Sequence, residues 1–150
     1  MFPGVILAGG NARRLGGKGK AFINLSGHSL INLVLDKFEP QVNQVAINTR
    51  NKDDFSSYSY PLIEDPINEI GGSGPLAGIL SAIKWAKEFT KATSHVVTVP
   101  VDAPLLPSDL VNRLVLELNV NDQYRFVLPP DYVNWVRVSV YKDGMLYPLT

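Results

Sequence analysis

The stretch Val5-Ile6-Leu7-Ala8-Gly9-Gly10-Asn11-Ala12-Arg13-Arg14-Leu15-Gly16-Gly17-Lys18-Gly19-Lys20 decides how this chain is read. Val5-Ile6-Leu7 is too short for a helix and is closed at once by Gly9-Gly10, the pattern of a buried strand whose carboxyl end feeds a loop. The loop gathers glycines together with the cations Arg13, Arg14, Lys18 and Lys20. Glycines let backbone N–H groups come close to an anion, and Arg and Lys supply the charge that phosphate oxygens require. A triphosphate is the ligand such a loop suggests; the alternative is a glycine-rich surface turn with solvated cations.

Spacing excludes one familiar phosphate motif. A Walker loop needs a Gly five residues before its Gly-Lys-Ser/Thr, whereas Gly17-Lys18 has Ala12 there and is followed by Gly19, and Gly19-Lys20 is followed by Ala21. A relaxed dinucleotide fingerprint does occur at Gly72-x-Gly74-x-x-Ala77. It lies seven residues beyond Asp65 rather than in the tight turn after a strand, and Pro75 removes a backbone donor, so it is a weak signal.

Downstream of the loop, Leu30, Leu33, Val34 and Phe38 recur at helical spacing between Ser29 and Glu39, and Pro40 ends the pattern. Val45-Ala46-Ile47 predicts a second buried strand ending at Asn48, and Pro61-Leu62-Ile63 a third ending at Glu64-Asp65. The segment from Arg50 to Tyr60 between them is polar and weakly patterned. Pro75 stands where a first helical residue tolerates it, and Leu76, Ile79, Leu80, Ile83 and Ala86 mark one helical face to about Phe89. Val96-Val97-Thr98-Val99 predicts a fourth strand ending at Pro100-Val101-Asp102, and Leu110, Leu114 and Leu118 a helix entered through Pro107-Ser108-Asp109. Read as four alternations of strand and helix, with strands apolar on both faces, this predicts an α/β fold: a mostly parallel sheet with helices on both faces and ligands beyond the strand carboxyl ends. Arg125–Leu128 and Val136–Tyr141 are plausible further strands.

Composition agrees with a single domain of this kind. The 150 residues are 45% hydrophobic and 19% charged, enough to bury about two-thirds of the unfolded surface. Fourteen Lys+Arg balance fourteen Asp+Glu, so there is no basic excess to draw the chain onto nucleic acid or anionic lipid, and any bound anion must be held locally. The absence of cysteine rules out disulfides, thiolate metal ligands and a cysteine nucleophile. Met1-Phe2-Pro3-Gly4 lacks the charged and long apolar regions of a signal peptide, and no apolar stretch nears the roughly twenty residues of a membrane span, so a cytoplasmic protein is expected.

Two strand-end carboxylates stand out, Asp65 and Asp102. Mg²⁺ is held by one or two carboxylates plus substrate phosphates, so a single Asp facing a triphosphate loop is a sufficient protein anchor, although each Asp also precedes or nears a Pro and suits a turn. His28, in a polar turn, and His95, at a strand start, have no Ser and Asp arrangement that spacing ties to them.

Taken together, Leu-Ala-Gly-Gly-x-x-x-Arg-x-Gly-x-x-x-Lys after the first strand, Asn48 closing the second and Glu64-Asp65 the third carry a family resemblance. With Gly74-Pro75-Leu76-Ala77-Gly78 opening a helix and Pro100-Val101-Asp102-Ala103-Pro104 closing the fourth strand, the chain resembles the molybdenum cofactor guanylyltransferases over roughly residues 4 to 118. Asp143-Gly144-Met145-Leu146-Tyr147-Pro148 also looks like the family's Asp-Gly-x-x-His-Pro segment, with Tyr147 for the histidine. The resemblance implies a Rossmann-like domain of the nucleotide-diphospho-sugar transferase type. It implies GMP transfer from GTP to the phosphate of molybdopterin or molybdenum-molybdopterin with release of pyrophosphate, Mg²⁺ as cofactor, and molybdoenzyme maturation proteins as further partners. By motif match Leu7, Ala8, Gly9 and Gly10 contact the nucleotide, Arg14 and Lys20 its phosphates, Asn48 and Asp65 help define the pocket, and Asp102 binds the metal. No protein nucleophile is then needed, since the incoming phosphate attacks the α-phosphorus in line while cations stabilise the spreading charge.

The sequence departs from the family at Gly19, where the pattern has Asp. It also lacks the family's later helix, strand and Asn-Thr-Pro element. The expectation is one nucleotidyltransferase domain over residues 1–150, truncated at the carboxyl end, that binds nucleotide yet turns over poorly. Three other readings remain open: a cytidylyltransferase of the same fold, because phosphate chemistry does not choose the base; a nucleotide-binding module without turnover; and, on Gly72-x-Gly74-x-x-Ala77 alone, a nicotinamide-dependent oxidoreductase.

Overall fold

The computed structural model describes residues 2–9, 19–64, 75–89 and 95–120. In chain order these form β1 (Pro3–Leu7), the short strands β2 (Asn24–Leu25) and β3 (His28–Ser29), helix α1 (Leu30–Phe38), β4 (Gln44–Thr49), β5 (Leu62–Glu64), α2 (Pro75–Phe89), β6 (Val97–Pro100) and α3 (Leu110–Val120). Strands β5, β4, β1 and β6 lie side by side in that order, and each pairing is parallel. β1 is central. Val5 stands opposite Ala46 on one side and Thr98 on the other, and Ile6 opposite Ile47 and Val99.

The period of two in these strands sorts their side chains onto two dry faces. Ile6, Val45, Ile47, Val97 and Val99 meet Ile31, Val34, Leu35 and Phe38 of α1 and Leu110, Val111 and Leu114 of α3. Val5 and Ala46 point the other way, to Ile79, Ala82, Ile83 and Ala86 of α2, with Val96 beside them. Each such aliphatic side chain contributes about 1.5–3 kcal/mol on full burial, so a run of them holds the sheet between its helices. Helices on both faces of a parallel sheet are therefore present as expected. One close approach sets the spacing: a Cβ on Gly4 would fall 2.6 Å from the Phe38 ring, so only glycine lets α1 lie this close to β1.

The fourfold alternation of strand and helix is corrected at one connection. Between β4 and β5 there is no α-helix but a 3₁₀ turn, Lys52–Phe55, started by Asn51 accepting a hydrogen bond from the Asp53 N–H at 3.2 Å. Phe55 supplies the packing a helix would have given, buried with Phe22 at 4.9 Å and Tyr58 at 5.8 Å between ring centroids. A lone aromatic in a polar segment carries no periodicity, which is why the pattern left this connection blank. The hairpin β2–β3 is likewise absent from the sequence reading. Its turn places Ser26 at φ 53° and Gly27 at φ 92°, and the Asn24 side chain accepts the Gly27 N–H at 2.9 Å. His28 lies on this exposed hairpin, and His95 precedes β6 with its ring 5.2 Å from that of Phe2. The strands suggested at 125–128 and 136–141 lie outside the described residues.

Among the described residues no helix is long and apolar enough to cross a membrane.

Candidate active site

The chain leaves β1 for β4 and β5 on one side of the sheet and returns to β6 on the other. The strand order thus reverses between β1 and β6, and in open parallel sheets the crevice at the carboxyl ends of such a pair is where ligands bind. Two backbone bonds draw the strand ends together there: Ala8 N–H donates to the Asn48 carbonyl at 2.8 Å, and Val101 N–H to the Leu7 carbonyl at 3.1 Å. The backbone of Leu7 and Ala8 is thereby fixed between the ends of β4 and β6.

Lys20 and Asp102, 82 residues apart in sequence, meet at this point. Lys20 Nζ donates to Asp102 Oδ2 at 3.2 Å, with the two side chains 44% and 49% exposed. Lys20 is set by a single 3₁₀ turn, Lys20–Phe22, whose Ala21 is buried and whose Phe22 packs on Phe55. Asp102 rides on a segment pinned at both ends. Val101, Ala103 and Leu106 are buried, and Gln41, in the 3₁₀ turn Glu39–Gln41 that follows α1, clamps the entry to α3. Gln41 Nε2 donates to the carbonyls of Lys37 at 2.6 Å and Pro107 at 2.9 Å, while its Oε1 accepts the Val111 N–H at 3.0 Å. Sequence reasoning missed Gln41, because one long polar side chain joining two helices carries no local pattern.

Asn48 ends β4 on the opposite side of β1. Its side chain is 1% exposed, donates from Nδ2 to the Ile63 carbonyl at 3.4 Å and lies beneath Gly78 in the first turns of α2. Ser81 of the same helix donates to the Glu64 carbonyl at 3.0 Å, tying α2 to the end of β5. Lys52 and Glu64 form an exposed ion pair at 3.3 Å nearby.

The structure therefore gathers Leu7, Ala8, Gly9, Lys20, Asn48 and Asp102 along one edge of the sheet. Gly10, Arg14 and Asp65 lie outside the described residues. A hard cation suits what is there: the Asp102 carboxylate is a half-exposed oxygen donor at the crevice, and Mg²⁺ commonly takes only one or two such ligands with phosphates completing its shell. Among the described residues no group of three or more His, Asp or Glu converges as a self-sufficient metal cage. An opposite-charge pair at a crevice mouth, with backbone lining one side, can take an anion on its cation and a cation on its carboxylate.

A family model described as the MobA-like NTP transferase domain matches residues 4–149. A molybdenum cofactor guanylyltransferase of Shewanella loihica is 38% identical over 119 residues, 79% of this chain and 57% of that protein. One from Yersinia pestis is 44% identical over 112 residues, 74% of this chain and 54% of that protein. The chain spans about half the length of these relatives. Among solved structures, molybdopterin-guanine dinucleotide biosynthesis protein A from Archaeoglobus fulgidus superposes with a TM-score of 0.67 over 93% of this chain and 67% of that one. At 23% identity this likeness speaks to the fold.

Proposed function

We propose, from the premise that this chain belongs to the MobA-like NTP transferase domain family, that it carries the nucleotide half of a guanylyltransferase. The reaction is transfer of GMP from GTP to the terminal phosphate of molybdopterin or molybdenum-molybdopterin, with pyrophosphate released, as the names of its relatives suggest. The observation that carries this reading is the Lys20–Asp102 pair at the β1/β6 reversal, beside the backbone of Leu7, Ala8 and Gly9.

In this reading Lys20 exchanges its contact with Asp102 for phosphate oxygens when nucleotide enters. The exchange is cheap, because a half-exposed ion pair contributes little on its own and a lysine–phosphate contact replaces it. The backbone of Leu7 to Gly10 lines the approach of the triphosphate, and Arg14 adds a second cation to it. Asn48 bounds the side of the pocket away from β6, and Asp65, by its match to the family motif, helps define the nucleotide pocket. Asp102, freed of Lys20, would hold Mg²⁺, which would supply charge neutralisation at the phosphates. The protein supplies no nucleophile: the acceptor phosphate attacks the α-phosphorus, the bond to the bridging oxygen of pyrophosphate breaks, and catalysis consists of alignment and charge stabilisation.

A thermal-shift panel of GTP, CTP, ATP and NAD, each with and without Mg²⁺, tests the reading. GTP with Mg²⁺ is expected to raise Tm most. Stabilisation by NAD, or none by any nucleoside triphosphate, would reject it, and a larger shift with CTP would move the assignment to the cytidylyl branch.

A further inference from the structure

We propose that the groove between α1 and residues 57–60 is a docking surface for a basic segment of a partner protein, received through its arginine side chains. The inference goes beyond the nucleotide reading and does not depend on it, since no residue of this groove belongs to the crevice between β1 and β6.

One wall is a single stripe of α1. Asn32, Leu35 and Asp36 recur at three- and four-residue spacing, and Glu39 continues the stripe as the helical C-cap, so the four share a face. Residues 57–60, which follow the turn that buries Phe55, form the facing wall, and the space between holds about 660 Å³. Leu35 is buried and closes the bottom, while Asn32, Asp36, Glu39, Ser57 and Ser59 are exposed, so the groove is open along its length.

Two tyrosines tie the walls together. The Tyr58 hydroxyl donates to Asn32 Oδ1 at 2.9 Å and that of Tyr60 to Glu39 Oε2 at 2.8 Å, attachment points about 10 Å apart along the helix. Tyr58 is also braced by the buried Phe55 ring, 5.8 Å away between centroids. Both rings are thus set before any ligand arrives, and Asp36 stands on the helix between their attachment points.

Electrostatics selects the occupant. The lining holds the two carboxylates Asp36 and Glu39, and His28 alone of the lining residues can carry positive charge. Among the described residues no cation is paired with Asp36. The two carboxylates add to burial and the Glu39 hydrogen bond in pushing the Tyr60 hydroxyl up. A cation entering here meets ring faces and a carboxylate together. Guanidinium suits the place better than ammonium, because it is planar, stacks on aromatic rings, forks onto carboxylates and gives up its hydration more readily. The shape favours an extended segment over a small molecule. Small ligands are enclosed over most of their surface, whereas this groove is open along α1 and roomier than one side chain needs. Ser57, Ser59 and Asn32 add neutral hydrogen-bonding groups that a peptide backbone can use.

The test is an NMR titration of the full chain with acetyl-Gly-Arg-Gly-Arg-Gly-amide, followed through backbone amide shifts. The largest shifts are expected at Asn32, Asp36, Glu39, Tyr58 and Tyr60. Asp36→Asn, a substitution at an exposed position, is expected to keep Tm, weaken the peptide at least about threefold and leave GTP affinity unchanged. Citrulline for each arginine keeps the shape and removes the charge, and is expected to weaken binding at least about tenfold. Equal binding of the arginine and citrulline peptides, unaltered affinity in Asp36→Asn, or shifts confined to other surfaces would overturn the proposal. So would spermidine that binds the groove as tightly as the peptide, since a small polycation would then be its occupant. A chain that binds the peptide here but binds no nucleotide would reject the proposed reaction and leave this surface standing.

Discussion

Two strand ends flank β1, and they are built in opposite ways. At the end of β6, Asp102 is half exposed and held by one 3.2 Å contact to Lys20. At the end of β4, Asn48 is neutral, 1% exposed and wedged beneath a glycine that no larger residue can replace without displacement. The first arrangement can be exchanged for a ligand at little cost, since exposed ion pairs contribute roughly 0–1 kcal/mol. The second cannot be rearranged without disturbing β4, β5 and α2 together. On the proposed reading, a pocket that releases and rebinds charged phosphates while holding one shape for the nucleoside needs both kinds of wall.

The sharpest way to break this comparison is Asp102→Asn, which keeps the shape and removes the charge. At an exchangeable wall the variant is expected to keep its Tm within about 2 °C while, in a chain completed with the acceptor half, Mg²⁺-dependent pyrophosphate release falls at least about 10²-fold, with kcat and kcat/KM lowered together. Calorimetric titration with GTP should also lose its Mg²⁺ dependence. Near wild-type turnover, or a large fall in Tm, would show that Asp102 serves the turn in which it sits.

Lys20→Ala tests the other partner. A charge-assisted contact to phosphate contributes roughly 1.5–3 kcal/mol, so GTP affinity is expected to fall about 10- to 100-fold in calorimetric titration. Lys18→Ala, at a variable place in the same motif, should cost less. Equal losses from the two would reject the assignment of Lys20.

Gly4→Ala supplies the contrast on the opposite face of the sheet. Like Gly78, Gly4 sits under a side chain that a Cβ would strike at 2.6 Å, but that side chain is the buried ring of Phe38, away from the crevice. The expected result is about 1–3 kcal/mol of lost stability by denaturant titration, with the preference of the folded protein for GTP over CTP intact. If Gly4→Ala changes that preference, close packing anywhere in the sheet governs selectivity and the distinction between the two walls fails.

What the sequence revealed, and what it hid, follows the same physical division. Val5-Ile6-Leu7, the α1 stripe ending at Pro40 and the α2 start at Pro75 are local patterns imposed by burial on both faces of a sheet and by proline's fixed geometry, so they were legible. Ser29 stands at the α1 N-cap, and its side chain makes no capping hydrogen bond. The strand-end residues Asn48 and Asp102 were legible as polar stops to apolar runs, and their likeness to a known motif named them. Their partners were not. The meeting of Lys20 with Asp102, of Gly78 with Asn48 and of Gln41 with Pro107 and Val111 joins residues tens of positions apart, and no periodicity encodes which distant polar group will be opposite. Phe55 and the Ser26-Gly27 turn were hidden because a single residue carries each of their signals.

If exposed charges at the strand end serve ligands and not stability, charges placed off the site should show the complementary behaviour, and Tyr60 provides the case. Its hydroxyl donates to Glu39 Oε2 at 2.8 Å, alongside Tyr58, which donates to Asn32 Oδ1 at 2.9 Å, on the exposed side of α1. Burial, then the hydrogen bond to Glu39 and the negative charges of Glu39 and Asp36, push the Tyr60 hydroxyl up from 10.0 to about 12. The folded state therefore holds the phenolic proton more tightly than the unfolded chain does. Stability from this group is complete below pH 10 and is lost as pH rises from 10 toward 12, because the unfolded chain releases the proton first. The loss by pH 10.5 is less than about 1 kcal/mol, the smallest effect considered, because Tyr60 is only partly buried. Denaturant titrations at pH 8.0 and 10.5 are expected to show this drop in the wild type and a smaller one in Tyr60→Phe, which has no phenolic proton to lose. Both proteins should bind GTP with equal affinity at pH 8.0. A Tyr60→Phe variant with the full alkaline drop would assign the loss to other groups. One with weakened GTP binding would extend the functional wall to α1 and undo the contrast between the two strand ends.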